Sequence, residues 1–341
     1  MNRLTKRIII IFSILIVLVL SGILIIRAVN SSSKKDTGNT QQTDRLILGF
    51  SQIGSESAWR TRNTQSIFEA AEANNIHIIF DDAQQKQANQ LKAIRSFIVY
   101  QVDVIAFVPI VEDGWDNVLQ EAKEANIPVI IVDRQINTDP SLYAGFLGEN
   151  GFEEGCSAAN YLIKKTRNIN NRINILELSG TENSSVATGR ANGFRSVIDQ
   201  YPKFNIIHSE DGDFLRSRGK EIMDRILAEN HGYLRIDGQK IDVIYSHNDS
   251  MTLGLLDSMK NNSISPAQTI IISIDAEQKS IDALTEGKLN CVVECNPNLG
   301  PTLMELVLDI AAGKEIPRVT YMKETVFTED DDFSVYAPRG Y

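Results

Sequence analysis

The chain has 341 residues and a formal net charge of −10 at pH 7. An acidic chain without a basic stripe or a DNA-reading motif is a poor match for nucleic acid, so we expect no nucleic-acid partner. Three cysteines are an odd count with no disulfide framework, and the four histidines are scattered without the spacing of metal ligands, so we predict no metal site.

An apolar segment near the start of the chain predicts a membrane helix. Residues 8–26 carry no charge, and a helix of this length spans about 28 Å, enough for the core of a bilayer. Cations precede it, which favours a cytoplasmic amino terminus. The alternative is a cleaved signal peptide, but its apolar region is usually shorter, roughly 7–15 residues, and Ile26-Arg27-Ala28 fits a cleavage site poorly.

Residues 1–29 are therefore predicted to be a membrane anchor or a signal segment. An uncleaved helix would tether the protein to the extracytoplasmic face of the cell membrane, and a cleaved one would leave it secreted or periplasmic. In both cases the rest of the chain is expected outside the cytoplasm.

A polar segment separates this apolar run from the folded part. Residues 30–44 contain no large apolar side chain and cannot bury a core, so we predict a flexible linker. The folded part then covers 45–341, which exceeds the ceiling of about 250–300 residues for a single hydrophobic core. We therefore expect two lobes.

Short apolar runs alternate with longer amphipathic segments from residue 46 onward. Continuous β-branched runs are typical of strands covered on both faces, and the segments between them have helical periodicity. This alternation predicts an α/β fold with doubly wound parallel sheets. The predicted strands are Leu46–Phe50, Ile76–Phe80, Val104–Val108, Val129–Val132, Leu142–Leu147, Ile173–Leu178, Phe204–Ile207, Ile241–Tyr245, Ile270–Ile274 and Leu289–Val293.

Polar and aromatic residues come after several of these strands. Right-handed crossovers place the carboxyl ends of parallel strands on one edge of a sheet, where ligands bind. The candidates lie in both halves of the chain, at Glu56, Trp59, Arg60, Asp133, Arg134, Arg190, Asn248 and Asp275. Two sheets facing each other across a cleft would bring them together.

These residue types suit the recognition of a sugar. Sugars present alternating hydroxyls and apolar C–H faces, which are matched by carboxylates that accept, Arg and Asn that donate, and rings that stack. Asp133 and Arg134 supply an acceptor and a donor at one strand end. Trp59 supplies one flat face, and Phe214 is the candidate for a second. The joint pattern predicts a site for a small polar molecule such as a sugar.

Structural alternatives exist for single residues. Trp59 alone could belong to the core, and Arg190 could be a surface residue of the helix predicted over 184–200. Asp249 fits the N-cap of the helix that follows it.

A glycosidase is the alternative class of function. Glu56, Asp133 and Asp275 could supply its paired carboxylates, but no sequence spacing supports that choice. The chain also lacks a Gly-x-Ser-x-Gly elbow, a Walker loop and a dinucleotide-binding fingerprint. We therefore expect a binding protein without a cofactor rather than an enzyme.

Six segments of the folded part, in order along the chain, form a family pattern. They include Ser-Glu-Ser-Ala-Trp-Arg at 55–60 and Val-Asp-Arg at 132–134, and together they cover 49–60, 82–97, 132–134, 212–221, 246–249 and 273–275. On these segments the chain resembles the type I periplasmic sugar-binding proteins of ABC importers, of the ribose- and galactose-binding kind.

The resemblance implies two doubly wound lobes joined by a three-crossing hinge. The crossings are expected near Gly148, Pro297 and Phe327. The N-terminal lobe would comprise 45–148 and 297–326, and the C-terminal lobe 149–296 and 327–341. The implied sugar contacts are Glu56, Trp59, Arg60, Asp133, Arg134, Arg190, Phe214, Asn248 and Asp275.

The resemblance also implies a function. A member of this family would capture a monosaccharide, here galactofuranose or a similar aldose, by lobe closure and deliver it to an ABC transporter permease. Family members are usually freely periplasmic or lipid-anchored, whereas the apolar run at 8–26 suggests a helical tether. A membrane sensor histidine kinase is therefore the alternative partner.

Overall fold

The computed structural model describes residues 45–341 of the chain. The predicted membrane helix over 8–26 and the predicted linker over 30–44 lie outside these residues. Within 45–341, no helix is both long enough and apolar enough to cross a membrane.

Six parallel strands form the first sheet. They are β1 (Ile47–Gln52), β2 (His77–Asp82), β3 (Val104–Phe107), β4 (Val129–Val132), β5 (Gly145–Gly148) and β13 (Val319–Tyr321). Their order across the sheet is β13-β5-β4-β3-β1-β2.

Helices cover both faces of this sheet. They are α1 (Ala58–Ala73), α2 (Gln87–Val99), α3 (Asp116–Glu124) and α9 (Gly300–Ala311). Val104 of β3 packs in one core cluster with Ile67 of α1 and Leu303 of α9. The next residue, Ile105, belongs to the opposite cluster with Phe97 of α2. Because successive side chains point to opposite faces, burial on both faces requires the continuous apolar runs seen in the sequence.

The second sheet also has six strands. They are β6 (Ile173–Ser179), β7 (Phe204–Asp211), β10 (Val243–Ser246), β11 (Ile270–Asp275), β12 (Cys291–Glu294) and β14 (Val326–Thr328). Their order is β14-β12-β11-β10-β6-β7, and only the edge strand β14 runs antiparallel to its neighbour. A short hairpin of β8 (Arg235–Ile236) and β9 (Gln239–Lys240) stands apart from it.

The second sheet is likewise covered by helices on both faces. They are α4 (Gly151–Lys165), α5 (Ser185–Ile198), α6 (Arg216–Glu229), α7 (Asp249–Asn261) and α8 (Gln278–Thr285). Ile271 of β11 packs with Ile222 of α6 and Leu255 of α7. Ile272 packs on the other face with Phe194 of α5.

The chain passes between the sheets three times. The passages lie between β5 and α4, between β12 and α9, and between β13 and β14. The first and the third passage are short. Strand β5 ends at Gly148 and α4 begins at Gly151, and strand β13 ends at Tyr321 and β14 begins at Val326.

The α/β class with parallel sheets is confirmed, and each predicted strand overlaps an observed one. The strand predicted over Leu142–Leu147 is wrong in its first half, because the observed strand β5 begins at Gly145. Leu142 instead ends a 3-10 helix over Pro140–Leu142. Asp139 caps this helix, and its side chain accepts a hydrogen bond from Ser141 N. Strands β13 and β14 were not predicted. They are short edge strands with exposed residues such as Val319, so they carry no continuous apolar run.

Candidate functional site

One cavity between the two sheets is lined by all nine side chains predicted for the site. They are Glu56, Trp59, Arg60, Asp133, Arg134, Arg190, Phe214, Asn248 and Asp275. The cavity is about 30 Å³ in volume, which is room for about two water molecules. The structure brings the nine residues together, and their role as ligand contacts stays a prediction.

The start of α1 fixes one charged pair. Ser57 caps this helix, and its hydroxyl accepts a hydrogen bond from the backbone N of Arg60 at 3.0 Å. Glu56 precedes Arg60 by four residues, and its Oε1 lies 2.9 Å from Nε of Arg60. Burial raises the pKa of Glu56, but the charges of Arg60 and Arg134 outweigh it, so the pKa lies below the usual value. Glu56 is therefore ionised at neutral pH.

Arg60 also pairs with Asp133, which follows β4. Nη2 of Arg60 lies 2.7 Å from Oδ2 of Asp133, and each side chain is only 4% exposed. Among the described residues, Nη1 of Arg60 has no hydrogen-bond partner although it is buried. Asp133 has a left-handed backbone with φ of 63°, which is uncommon for residues other than glycine. A strained residue held by a buried ion pair is a candidate for function.

Arg134 reaches from the same strand end toward the second sheet. Its Nη1 donates to the backbone oxygen of Ile110 at 3.2 Å. Its guanidinium carbon lies 5.3 Å from the ring centre of Phe214, which belongs to the second half of the chain. Burial lowers the pKa of Arg134 to about 10, and repulsion from Arg60 adds to the effect. Arg134 is still charged at neutral pH, so this contact is a cation–π interaction across the cavity.

Arg190 on α5 is the main cation of the second half. Its Nε lies 2.6 Å from Oε2 of Glu154, and its Nη2 lies 3.6 Å from Oδ1 of Asp275. It also donates to the backbone oxygen of His247. Arg190 is 2% exposed, so the alternative that placed it on the surface is wrong.

Asn248 follows β10 and caps α7. Its side-chain oxygen accepts from Met251 N at 2.9 Å, and its Nδ2 donates to the backbone oxygen of Phe214 at 3.1 Å. Asp249 was predicted as this cap, which is wrong because it lies one residue inside the helix. Its carboxylate instead accepts from the hydroxyl of Ser273.

Asp275 ends β11 in an unusual backbone conformation. Its φ is 122°, and that of Ala276 is 65°. Burial raises the pKa of Asp275. The positive charge of Arg190 opposes this rise, and the negative charge of Glu277 adds to it. The carboxyl of Asp275 therefore lies close to a guanidinium and lines the cavity.

Trp59 connects the two sheets. Its backbone N donates to Oε1 of Glu277 at 3.2 Å, and its indole Nε1 donates to the backbone oxygen of Cys295 at 2.6 Å. Trp59 lies in the first turn of α1, a helix that covers the first sheet, but its side chain packs in a core cluster of the second sheet. A second contact between the halves joins the backbone N of Gln135 to the hydroxyl of Ser185 at 2.7 Å. Trp59 is therefore both a core residue and a wall of the cavity.

Several residues that support the site were missed by sequence reasoning. Arg339 donates through Nε to the backbone oxygen of Ala276 at 3.2 Å. The hydroxyl of Tyr341 donates to the backbone oxygen of Asp275 at 3.3 Å. Arg339 also pairs with Glu294, the residue opposite Asp275 in the neighbouring strand. No motif marks these residues, because only the fold brings the end of the chain back to Asp275.

The chain is similar to known proteins in both sequence and fold. Residues 48–315 match the family model described as a periplasmic binding protein domain. The chain is 39% identical over 290 residues to the galactofuranose-binding protein YtfQ of Escherichia coli (strain K12), which covers 84% of this chain and 88% of that protein.

Two solved structures have the same fold. A protein from Mycobacterium smegmatis in complex with β-D-fucofuranose superposes with a TM-score of 0.79 at 40% identity, covering 83% of this chain and 91% of that one. The periplasmic binding protein component of the arabinose ABC transporter from Shewanella sp. ANA-3, bound to α- and β-L-arabinofuranose, has a TM-score of 0.78 at 38% identity, covering 83% and 92%.

The support given by Arg339 predicts a loss of stability in Arg339→Met. Glu294 is 7% exposed, and its carboxylate would stay buried without its partner. We expect the free energy of unfolding to fall by about 1–3 kcal/mol, measured by urea denaturation. The matched control is Lys314→Met, because Lys314 forms an exposed pair with Asp309 and should contribute less than about 1 kcal/mol. Equal losses in the two variants would contradict the assigned role of Arg339.

Proposed function

We propose that this chain, which belongs to the periplasmic binding protein family, captures a monosaccharide and delivers it to an ABC importer. The family places the folded part outside the cytoplasm and makes it a solute-binding protein rather than an enzyme. The observation that carries the proposal is the convergence of hydroxyl-binding side chains from both sheets on one cavity. Similarity to proteins named for galactofuranose, fucofuranose and arabinofuranose supports a furanose ligand. Galactofuranose or a similar aldose is the proposed sugar.

The two halves of the cavity supply complementary groups for such a sugar. Asp133 beside Arg60 offers an acceptor next to a donor, and Asp275 beside Arg190 repeats the couple from the other sheet. Neighbouring sugar hydroxyls, each both donor and acceptor, match such couples. Nη1 of Arg60, which is buried without a hydrogen-bond partner among residues 45–341, is the donor we assign first to a sugar hydroxyl.

Lobe closure is the proposed mode of capture. A cavity of about 30 Å³ has no room for a monosaccharide, so the proposed capture has the lobes part to admit the sugar. The three passages of the chain between the sheets are where a hinge would bend. Only a ligand that binds the closed form better can shift the equilibrium toward it, and groups from both sheets give the sugar that preference.

The sheets support the division into lobes inferred from the sequence. We propose an N-terminal lobe of 45–148 and 297–325 and a C-terminal lobe of 149–296 and 326–341. The last boundary lies one residue earlier than the one inferred from the sequence, which follows residue 326, because Val326 pairs with Val293 in the second sheet. Strand β13 pairs with β5 and strand β14 with β12, so the third crossing falls between Tyr321 and Val326.

A membrane tether is proposed for the apolar run at 8–26, with 30–44 as the linker. A tethered protein stays close to its permease, and it could also present sugar to a sensor histidine kinase. The arabinofuranose-bound relative is a component of an ABC transporter, which favours delivery to an importer over the sensor role.

Sugar binding is tested by Asp133→Asn, which keeps the side-chain volume and removes the charge. We expect affinity to fall by about 2 kcal/mol, or about 30-fold, because the amide group that replaces one carboxylate oxygen donates instead of accepting and leaves a buried donor unpaired. The measurement is calorimetric titration with D-galactose and L-arabinose, whose solutions contain furanose forms. A methyl galactofuranoside incubated with the protein should stay intact, and its hydrolysis would favour the glycosidase.

The matched control is Asp82→Asn. Asp82 also ends a strand of the first sheet, but it is exposed and accepts a hydrogen bond from the backbone N of Gln84 at 2.8 Å. The sugar affinity of the Asp82→Asn variant should equal that of the unchanged protein. Unaltered affinity in Asp133→Asn, or an equal loss in both variants, would overturn the assignment of the site.

The tether is tested on protein isolated from its native membrane. Intact mass spectrometry should find residues 1–29 still attached, and the protein should need detergent for its release. A mature amino terminus near residue 29 would instead establish a cleaved signal.

A further inference from the structure

The ring of Phe214 lies against the backbone of Gly180. Gly180 is buried and directly follows β6, which ends at Ser179. A β-carbon placed on Gly180 would overlap Cζ, Cε1 and Cε2 of the Phe214 ring. Carbon atoms in contact are normally about 3.5–4.0 Å apart, so the ring occupies the space that the side chain of any other residue would need. The absence of a side chain at position 180 therefore allows this close approach.

The backbone conformation of Gly180 does not itself require a glycine. The glycines with positive φ in residues 45–341 do not include Gly180. At negative φ, residues with a side chain are accommodated without strain. An alanine at this position would therefore disturb the contact with the ring rather than the backbone.

The backbone of Phe214 is fixed by contacts of its own. Its carbonyl oxygen accepts a hydrogen bond from Nδ2 of Asn248 at 3.1 Å. Two residues earlier, the backbone N of Gly212 donates to the backbone oxygen of Ser179 at 2.9 Å. Phe214 itself has φ of 60°, which lies in the small left-handed region. A displaced ring would therefore move by rotation of the side chain and not by a shift of the turn.

The free space beside the ring is the sugar cavity. Phe214 lines that cavity, is only 5% exposed, and belongs to a core cluster with Leu178 and Met251. The protein interior is packed too densely to take up a displaced ring, so the ring would turn into the cavity. Its centre now lies 5.3 Å from the guanidinium carbon of Arg134 and 5.9 Å from that of Arg190. Movement of the ring would therefore disturb cations from both sheets.

We propose that Gly180 is a positioning residue for sugar binding, because it keeps the Phe214 ring out of the space that the ligand occupies and in contact with Arg134 and Arg190. The inference rests on the proposed function, which assigns the cavity to a monosaccharide. Gly180 does not line the cavity. It acts through the ring, by leaving room for it against the backbone at the end of β6.

Gly180→Ala in the purified full chain tests the proposal. The ring must move by more than about 1 Å to recover van der Waals contact, and the affinity for D-galactose in calorimetric titration should fall by at least about tenfold.

The matched control is Gly49→Ala. Gly49 lies in β1, and a β-carbon there would lie 2.6 Å from Cγ of Phe97, a core residue that does not line the cavity. This variant should lose stability, but its sugar affinity should stay within about twofold of that of the unchanged protein. Equal losses of affinity in Gly180→Ala and Gly49→Ala would overturn the proposal.

A double-mutant cycle separates a positioning role from general destabilisation. Leucine has no atoms at the Cε and Cζ positions that the new methyl group would meet, so Phe214→Leu should remove the conflict. Phe214→Leu will lower the affinity by itself, and the addition of Gly180→Ala should then cost less than about twofold. Additive losses would contradict the proposal, because they would show that the alanine does not act through the ring.

A crystal structure of the Gly180→Ala variant gives a readout that needs no sugar. We expect the Phe214 ring to be displaced into the cavity, with β6 and α5 unchanged. An unmoved ring would overturn the inference even if the affinity falls. If the unchanged protein binds no sugar in the titration, the proposed function fails, and the position of the ring still decides whether Gly180 places Phe214.

Discussion

The burial of Arg60 between two carboxylates is the constraint on which the candidate site depends. Its guanidinium lies 2.9 Å from Glu56 and 2.7 Å from Asp133. A guanidinium stays charged when it leaves water, so it needs partners, and removing one partner is costly. Glu56 precedes α1 and Asp133 follows β4, so the pairing requires β1 and β4 to end on the same edge of the sheet. The parallel arrangement provides that edge, and Asp133 forms this ion pair from a left-handed backbone conformation.

The second sheet carries a similar couple of a guanidinium and a carboxylate. Arg190 lies between Glu154 and Asp275, and the strained end of β11 is held by hydrogen bonds from Arg339 and Tyr341. Because both couples are set by their own sheets, the polar atoms are oriented before any ligand arrives. Such preorganisation reduces the ordering cost of binding. Affinity and lobe closure then draw on the same contacts, since a sugar that engages one couple gains the other only when the lobes meet.

The local sequence predicted the candidate residues at the strand ends of the first sheet better than it predicted the residues that support the site. Glu56, Trp59 and Arg60 are close in sequence, and Asp133 and Arg134 follow an apolar run, so strand ends sufficed to propose them. The sequence predicts Asn248 as a ligand contact and Asp249 as the N-cap of α7, whereas the structure has Asn248 as the N-cap. Both residue types favour that position, and only the backbone geometry separates them. The support that Arg339 and Tyr341 give to the end of β11 is marked by no motif, because these residues follow Asp275 by more than 60 positions. The fold alone brings them together.

The most direct measurement of the central claim is a crystal structure of the protein grown with D-galactose. We expect a furanose ring between the two couples, with one hydroxyl within hydrogen-bonding distance of Asp133 and another within that distance of Asp275, and with Trp59 and Phe214 at its faces. A pyranose ring in the same place would contradict the proposed ring form. Sugar bound away from these side chains, or contacts with one sheet only, would contradict the claim that both lobes grip the ligand.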